Sequence, residues 1–369
     1  MRQYLQARGC VEMESKRSFD KAFLLKYVQM WTEALKCDNL SDSEKQILRY
    51  EKAVFNKFLR GDFNILDGYV GHYKSIENLK RYTLMKMQYE YNTIGSDVVD
   101  YILDLNQANL FCSVGTPRPN VPFEVQQEYT LKNYEKNCKR FLKYAERVFY
   151  SKITSQIQCV RRLDCSSFCH YSELLDLPFL VINPKETSYI LNHEIQHAID
   201  YMLKYQTTNN YYSELLPIYF ELLFDDLLFD DKGICDYDCR LDEMNSLILD
   251  VCEYLRAMKE FASLEFKVSL EEFKQIIMNC FSIDESLLID CLNDIVVSDD
   301  FDGNFMYLIS YIKAIELRND FYNKKGSSLD LILPYANIAD FQYSPDYKHF
   351  DVYSSFIEEA CAKQLKMKL

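Results

Sequence analysis

Apolar residues recur at intervals of three and four along most of this 369-residue chain, which is the spacing of one helical face. Ser41, Ser269 and Ser282 each precede a glutamate by three residues, which matches the capping box that opens helices, and Gly61 follows the first of these patterns. The pattern predicts helices over 19–36, 41–60, 76–91, 96–112, 124–148, 211–231, 240–259, from 269, and over 282–297, 305–322 and 350–368.

Two short segments lack the helical period. Residues 153–163 and 177–182 are apolar or β-branched, which is typical of strands. After the second segment, Thr187 or Ser188 is placed to cap a helix that continues to about Tyr205. The pattern therefore predicts a mainly α protein with a small β-sheet immediately before this helix.

Turn-forming residues are scarce, with 9 glycines and 8 prolines, and three of the prolines lie within 115–122. This stretch predicts a loop. We expect it to separate an N-terminal helical lobe, residues 1–120, from a second region, residues 121–369.

Composition and charge narrow the class of protein. Apolar residues make up 48% and charged residues 27%, as in globular proteins, and the formal net charge is −14. Such a charge repels nucleic acid and anionic membranes, so neither is an expected partner. The N-terminus is too polar for a signal peptide and no apolar run is long enough to span a membrane. Thirteen cysteines without a secretion signal then predict free thiols and a cytoplasmic protein.

The most specific chemical pattern lies in the helix predicted after the strands. His193, Glu194 and His197 have the order H-E-x-x-H, and the chain contains only five histidines. Residues four apart share one face of a helix, so both imidazoles can bind one cation. A glutamate next to the first ligand is placed to act as a general base toward water at a zinc ion. The motif therefore predicts a zinc site, with His193 and His197 as ligands and Glu194 as the base.

A catalytic zinc site normally has a third protein ligand, and the next helix offers two. Glu214 follows His197 after 16 intervening residues, and Glu221 lies two helical turns further on. One carboxylate can bind the ion while the other supports a ligand from behind. If Glu221 is the ligand, Asp225 is placed to support it. The spacing alone leaves both possibilities open.

Three segments together resemble the core of the thimet oligopeptidase and oligoendopeptidase F family: Pro178–Asn183, the H-E-x-x-H helix, and Ser213–Glu221 with the order S-E-x-x-P-x-x-x-E. The resemblance implies a gluzincin-type, largely helical catalytic domain, here residues 121–369. It implies one Zn²⁺ per chain, short peptides as substrates and a deep channel that admits them. It also favours Glu214 as the third ligand.

A tyrosine-rich segment resembles the same family further downstream. The resemblance implies that Tyr307 stabilises the oxyanion of the tetrahedral intermediate, with Tyr311 as a further candidate. Two positions depart from the family pattern: Phe301 stands where oligoendopeptidase F has a histidine, and Gln196 replaces the usual glycine of the motif. His349, ahead of the closing helix, is a further residue that could reach the site.

The leading hypothesis is a zinc metallopeptidase that hydrolyses short peptides, with Glu194 as general base. A second hypothesis is a non-catalytic, metallopeptidase-like binding module, which the loss of the histidine at Phe301 and the short chain favour. A third is a different H-E-x-x-H hydrolase with Glu221 as third ligand. An intact Glu194 argues against the second hypothesis, because a scaffold for metal alone needs no general base.

Overall fold

A computed structural model describes residues 18–37, 39–63, 73–107, 120–151, 155–160, 166–203, 214–234, 236–297, 300–323, 326–327, 330–331 and 359. Its helices are α1 (Lys21–Ala34), α2 (Asp42–Arg60), α3 (Ile76–Ile94), α4 (Ser96–Gln107), α5 (Phe123–Asn137), α6 (Lys139–Tyr150), α7 (Ile190–Leu203), α8 (Leu215–Lys232), α9 (Tyr237–Ser263), α10 (Leu270–Cys280), α11 (Leu288–Val297) and α12 (Asp300–Tyr322). Its strands are β1 (Gln156–Cys159), β2 (Phe168–Ser172) and β3 (Leu177–Ile182). The predicted fold class, mainly α with a small sheet ahead of the motif helix, is confirmed.

Helix ends follow local chemistry at two of the three predicted capping boxes. Ser41 and Ser269 both accept a hydrogen bond from the backbone N–H of the glutamate three residues on, and each glutamate side chain accepts a hydrogen bond from the backbone N–H of its serine. Gly61 ends α2 in the left-handed region, at φ 73°, where a residue without Cβ is unstrained. These predictions are confirmed because capping depends on groups within a few residues.

The third capping box is wrong. Ser282 has φ 52° and follows α10, and the Ile283 N–H bonds back to the Met278 carbonyl. A hydrogen bond from an N–H to the carbonyl five residues earlier is typical of the C-terminal end of a helix. Ser282 therefore ends α10, and α11 begins later, at Leu288.

Two other helix predictions need correction. The single helix over 124–148 is two helices, because the backbone of Cys138, with φ −154° and ψ 79°, leaves the helical region between α5 and α6. Neither Thr187 nor Ser188 caps α7, since both hydroxyls are buried without a hydrogen-bond partner among the described residues. The carboxylate of Asp236, remote in sequence, accepts from the Ser188 N–H instead.

The sheet has the order β1-β3-β2, with β1 parallel and β2 antiparallel to β3. The central strand is apolar throughout because both of its faces are covered. Leu180 and Ile182 enter the main core, whereas Phe179 and Val181 enter a second core built with α1 and α2. β2 was not predicted, because its sequence mixes Phe, Cys, His, Tyr and Ser without a clear alternation.

The main core is organised around α8, which packs against α5, α7 and α12. Fourteen of its eighteen residues are buried, Glu221, Asp225 and Asp226 among them. Buried carboxylates are costly unless they are paired, so this helix requires cationic partners from its neighbours. The partners of Glu221 and Asp225 lie at the site described below.

Side chains from both sides of the predicted boundary near residue 120 share the main core. Leu79 of α3 and Ile102 of α4 belong to it, and both helices pack against α9. The division into 1–120 and 121–369 stays a prediction.

The predicted helix over 350–368, apart from residue 359, and His349 lie outside the described residues. Where the chain is described, no helix combines the length and apolarity needed to cross a membrane.

Candidate metal centre

Helix α7 presents the two motif histidines one turn apart on the same face, as the spacing predicts. Their Nε2 atoms lie 3.0 Å apart, and the imidazole rings are close to perpendicular, at 74°. Leu191, Ile195 and Ala198 bury the other side of the helix. This packing orients both rings toward the start of α8.

Glu214 lies at the N-terminal end of α8 and completes a triangle of donor atoms. Its Oε2 atom is 3.2 Å from Nε2 of His193 and 3.2 Å from Nε2 of His197. These three residues are the group that the described residues offer for holding a metal ion. Ligands bound tetrahedrally at zinc distances of about 2.0–2.1 Å are themselves about 3.3 Å apart, so the triangle has the size that zinc requires. The donor set, two imidazole nitrogens and one carboxylate oxygen, also suits zinc.

Glu194 is 4% exposed and stands beside this triangle. Its Oε2 atom is buried and has no hydrogen-bond partner among the described residues. Burial raises the pKa of Glu194 to about 7, although His193 and His197 oppose that rise. A buried carboxylate with a free oxygen and a pKa near neutrality is suited to proton transfer.

Glu214 and Glu221 occupy opposite sides of His193. The Glu221 Oε1 atom lies against Nδ1 of His193, whereas Glu214 approaches Nε2. A carboxylate is only an acceptor, so Nδ1 donates to Glu221, and Nε2 is the nitrogen that faces Glu214 and His197. Burial would raise the pKa of Glu214, but His197 and His193 hold it well below its usual range. Glu214 is therefore placed as the candidate ligand and Glu221 as the group behind the ring.

Arg240, from α9, lies beneath Glu221 and is fully buried. Its Nη1 atom is 2.5 Å from Glu221 Oε2, and its Nε atom is 2.5 Å from Asp225 Oδ2. The guanidinium carbon stands 3.7 Å above the ring of Tyr189. The arginine thus joins the two carboxylates that the sequence had already singled out on α8.

Two tyrosines of α12 reach the same region but differ in their contacts. The Tyr311 hydroxyl donates to Glu243 Oε2 at 2.5 Å. Burial raises the pKa of Tyr307 well above its usual range, and the nearby charges of Glu214 and Glu194 raise it further. Tyr307 therefore lies beside the candidate metal site, and its part in oxyanion binding stays a prediction.

Other positions named from the sequence have structural neighbours of their own. Gln196 points away from the triangle: its amide nitrogen donates to Asp200, and its oxygen accepts from the hydroxyl of Tyr134. Phe301 lies near the start of α12. Sequence reasoning missed Arg240 and Glu243, since a single charged residue within an amphipathic helix pattern gives no signal of the residues that it contacts in the fold.

Comparisons with known proteins add little. No protein-family model and no curated protein matches the chain. A provisionally assigned oligoendopeptidase F from Bacillus anthracis str. Ames is similar over 94% of this chain and 75% of its own, at 14% identity and a TM-score of 0.40. A provisionally assigned peptidase from Chlamydophila abortus is similar over 93% and 63%, at 11% identity and 0.47. A provisionally assigned lipoprotein from Colwellia psychrerythraea is similar over 92% and 68%, at 11% identity and 0.26. Such low TM-scores support no functional argument.

Proposed function

We propose that this protein is a zinc-dependent metallopeptidase that hydrolyses short peptides. His193, His197 and Glu214 would hold one Zn²⁺. The observation that carries the proposal is the triangle of donor atoms, 3.0 to 3.2 Å apart, with the unpartnered oxygen of Glu194 beside it. The choice of peptides as substrates rests on the resemblance of the three sequence segments that surround these residues.

Zinc, when bound, would supply Lewis-acid polarisation of the attacking water and of the scissile carbonyl. The residues of the chain would do the rest. Glu194 would accept a proton from the attacking water and deliver it to the leaving amine, acting first as general base and then as general acid. The Tyr307 hydroxyl, neutral at any physiological pH, would donate a hydrogen bond to the developing oxyanion.

The test combines metal content with peptide cleavage. Purified protein, supplied with zinc, is expected to hold about one zinc ion per chain by elemental mass spectrometry, and His197→Ala prepared alongside is expected to hold far less. A library of short peptides screened by mass spectrometry should then reveal cleavage. Wild-type protein without zinc under these conditions would refute the proposal.

The Glu221-ligand alternative is decided by two further variants. Glu214→Ala should lose the metal outright, because it removes a donor atom from the triangle. Glu221→Ala should retain zinc with weaker affinity, because it leaves the three donors in place. The reverse result would make Glu221 the ligand.

A non-catalytic binding module remains the second candidate, since Phe301 occupies the position of a family histidine. Glu194→Gln separates the two functions. If wild-type protein binds zinc but cleaves peptides no faster than Glu194→Gln, the module is the better description. The free oxygen of Glu194 favours the enzyme.

A further inference from the structure

We propose that Arg240 is a positioning residue of the metal centre: it holds Glu221 in place, and Glu221 in turn orients the imidazole of His193 toward the ion. This inference rests on the proposed function only in requiring that the His193, His197 and Glu214 group binds zinc. It adds a residue, on a separate helix, that lies outside the group of donor residues.

The contacts form one continuous chain. His193 contacts Glu221 through Nδ1, Glu221 contacts Arg240 through its other oxygen, and Arg240 contacts Asp225 through Nε. The hydrogen bond to Nδ1 fixes both the tautomer and the ring orientation of His193, so that Nε2 faces Glu214 and His197. The ring can keep this orientation only if Glu221 keeps its own.

Glu221 depends on Arg240 for its position. The glutamate is 2% exposed, and Arg240 is the cation whose guanidinium lies 2.5 Å from it. Removing one partner of a buried ion pair leaves an uncompensated charge, which favours a rotamer that turns the remaining group toward another partner. A turned Glu221 carboxylate would no longer contact Nδ1 of His193 in the same geometry.

Arg240 is itself held from three directions. Two carboxylates, from Glu221 and Asp225, meet separate nitrogen atoms of the guanidinium, and the ring of Tyr189 covers one face. Tyr189 directly precedes α7, and both carboxylates lie on α8. A planar guanidinium satisfies all three contacts at once, whereas the ammonium group of lysine is a single point charge that cannot.

A second buried ion pair of α8 offers a matched control. Arg318 of α12 is also buried, and its Nε and Nη2 atoms each lie 2.7 Å from Asp226, the residue after Asp225. The Tyr322 hydroxyl donates to Asp226 as well. Arg318 therefore anchors α8 by a similarly buried ion pair, but through Asp226 and not through the carboxylate that contacts His193.

The experiment measures zinc affinity, by competition with a chelator, for the metal-free forms of wild type, Arg240→Met, Arg240→Lys and Arg318→Met. We expect Arg240→Met to bind zinc about 10- to 100-fold more weakly, the usual effect of losing a group that supports a ligand. Arg240→Lys should recover little of this loss. Arg318→Met should unfold at lower temperature than wild type but bind zinc with nearly wild-type affinity.

A double-mutant cycle with Glu221→Gln tests whether Arg240 acts through Glu221. If it does, adding Arg240→Met to Glu221→Gln should weaken zinc binding by less than about 3-fold, because the pathway is already broken. Losses that multiply would overturn the inference, as would equal zinc affinities for Arg240→Met and Arg318→Met. If Arg240→Met does not fold, Arg240→Lys is compared with Arg318→Lys on the same criterion.

Wild-type protein that binds no zinc would refute the proposed function and this inference together, whereas failure of the Arg240 comparisons alone leaves the proposed function intact.

Discussion

Replacing Glu194 by glutamine should abolish most activity and at the same time stabilise the metal-free protein at alkaline pH. The substitution keeps the size of the side chain and removes its charge and its capacity to take a proton. Glu194 is buried beside the triangle of donor atoms, and its Oε2 atom has no hydrogen-bond partner among the described residues. Keeping a charged carboxylate in this buried environment lowers the free energy of unfolding. Such destabilising groups are common at functional sites.

Both magnitudes follow from the site. Loss of a general base typically lowers kcat by about 100- to 10,000-fold. Burial raises the pKa of Glu194 from 4.5 to about 7, which corresponds to roughly 3 kcal/mol against the ionised form at 1.36 kcal/mol per pKa unit. Because the folded pKa lies above the unfolded one, this penalty is absent below about pH 4.5 and complete above about pH 7.

The assay is urea unfolding of wild type and Glu194→Gln, both stripped of metal, at about pH 5 and pH 8.5. We expect the variant to be more stable at the higher pH by up to roughly 3 kcal/mol, with a much smaller difference at the lower pH. The constant effect of a buried amide cancels when the two pH values are compared. Cleavage of a peptide substrate by the zinc-loaded forms gives the change in kcat.

Two results would refute this reasoning. A variant that keeps more than a tenth of wild-type kcat excludes Glu194 as the base. A stability difference that does not grow between the two pH values means that Glu194 is not held in a desolvating environment.

Three further outcomes are expected. Tyr307→Phe should lower kcat about 100-fold or more without changing zinc content, whereas Tyr311→Phe, whose hydroxyl is already bound to Glu243, should cost less; equal effects would exclude a special role for Tyr307. Phe179→Ala should cost about 3–5 kcal/mol of unfolding free energy in urea titrations and leave zinc affinity unchanged, because Phe179 is fully buried in the second core. Chelating the metal should lower the melting temperature and abolish cleavage, and zinc should restore both; a melting temperature that does not respond to zinc would contradict the site.

Much of the local structure could be predicted from the sequence, because it depends on neighbouring residues. The capping boxes at Ser41 and Ser269 use side chains three positions apart. The continuous apolar run of β3 predicted a buried strand. The same serine–glutamate spacing occurs at Ser282, yet this residue follows the end of the preceding helix with a positive φ. The spacing alone does not distinguish a residue that begins a helix from one that ends the helix before it.

The sequence by itself determined the chemistry at the centre of the site: His193 and His197 share a helix face because they are four residues apart, and Glu194 accompanies them. Only the tertiary structure decided which ring nitrogen of His193 each glutamate contacts: Glu214 lies at Nε2 and Glu221 at Nδ1. The sequence left this open because both glutamates lie at a workable distance along the chain. Only the tertiary structure, too, placed Arg240 beneath Glu221, because the two residues are nineteen positions apart and lie on different helices. Buried charges must be paired, but the packing of one helix against another decides which residue pairs with which, and no periodicity along the chain predicts that pairing.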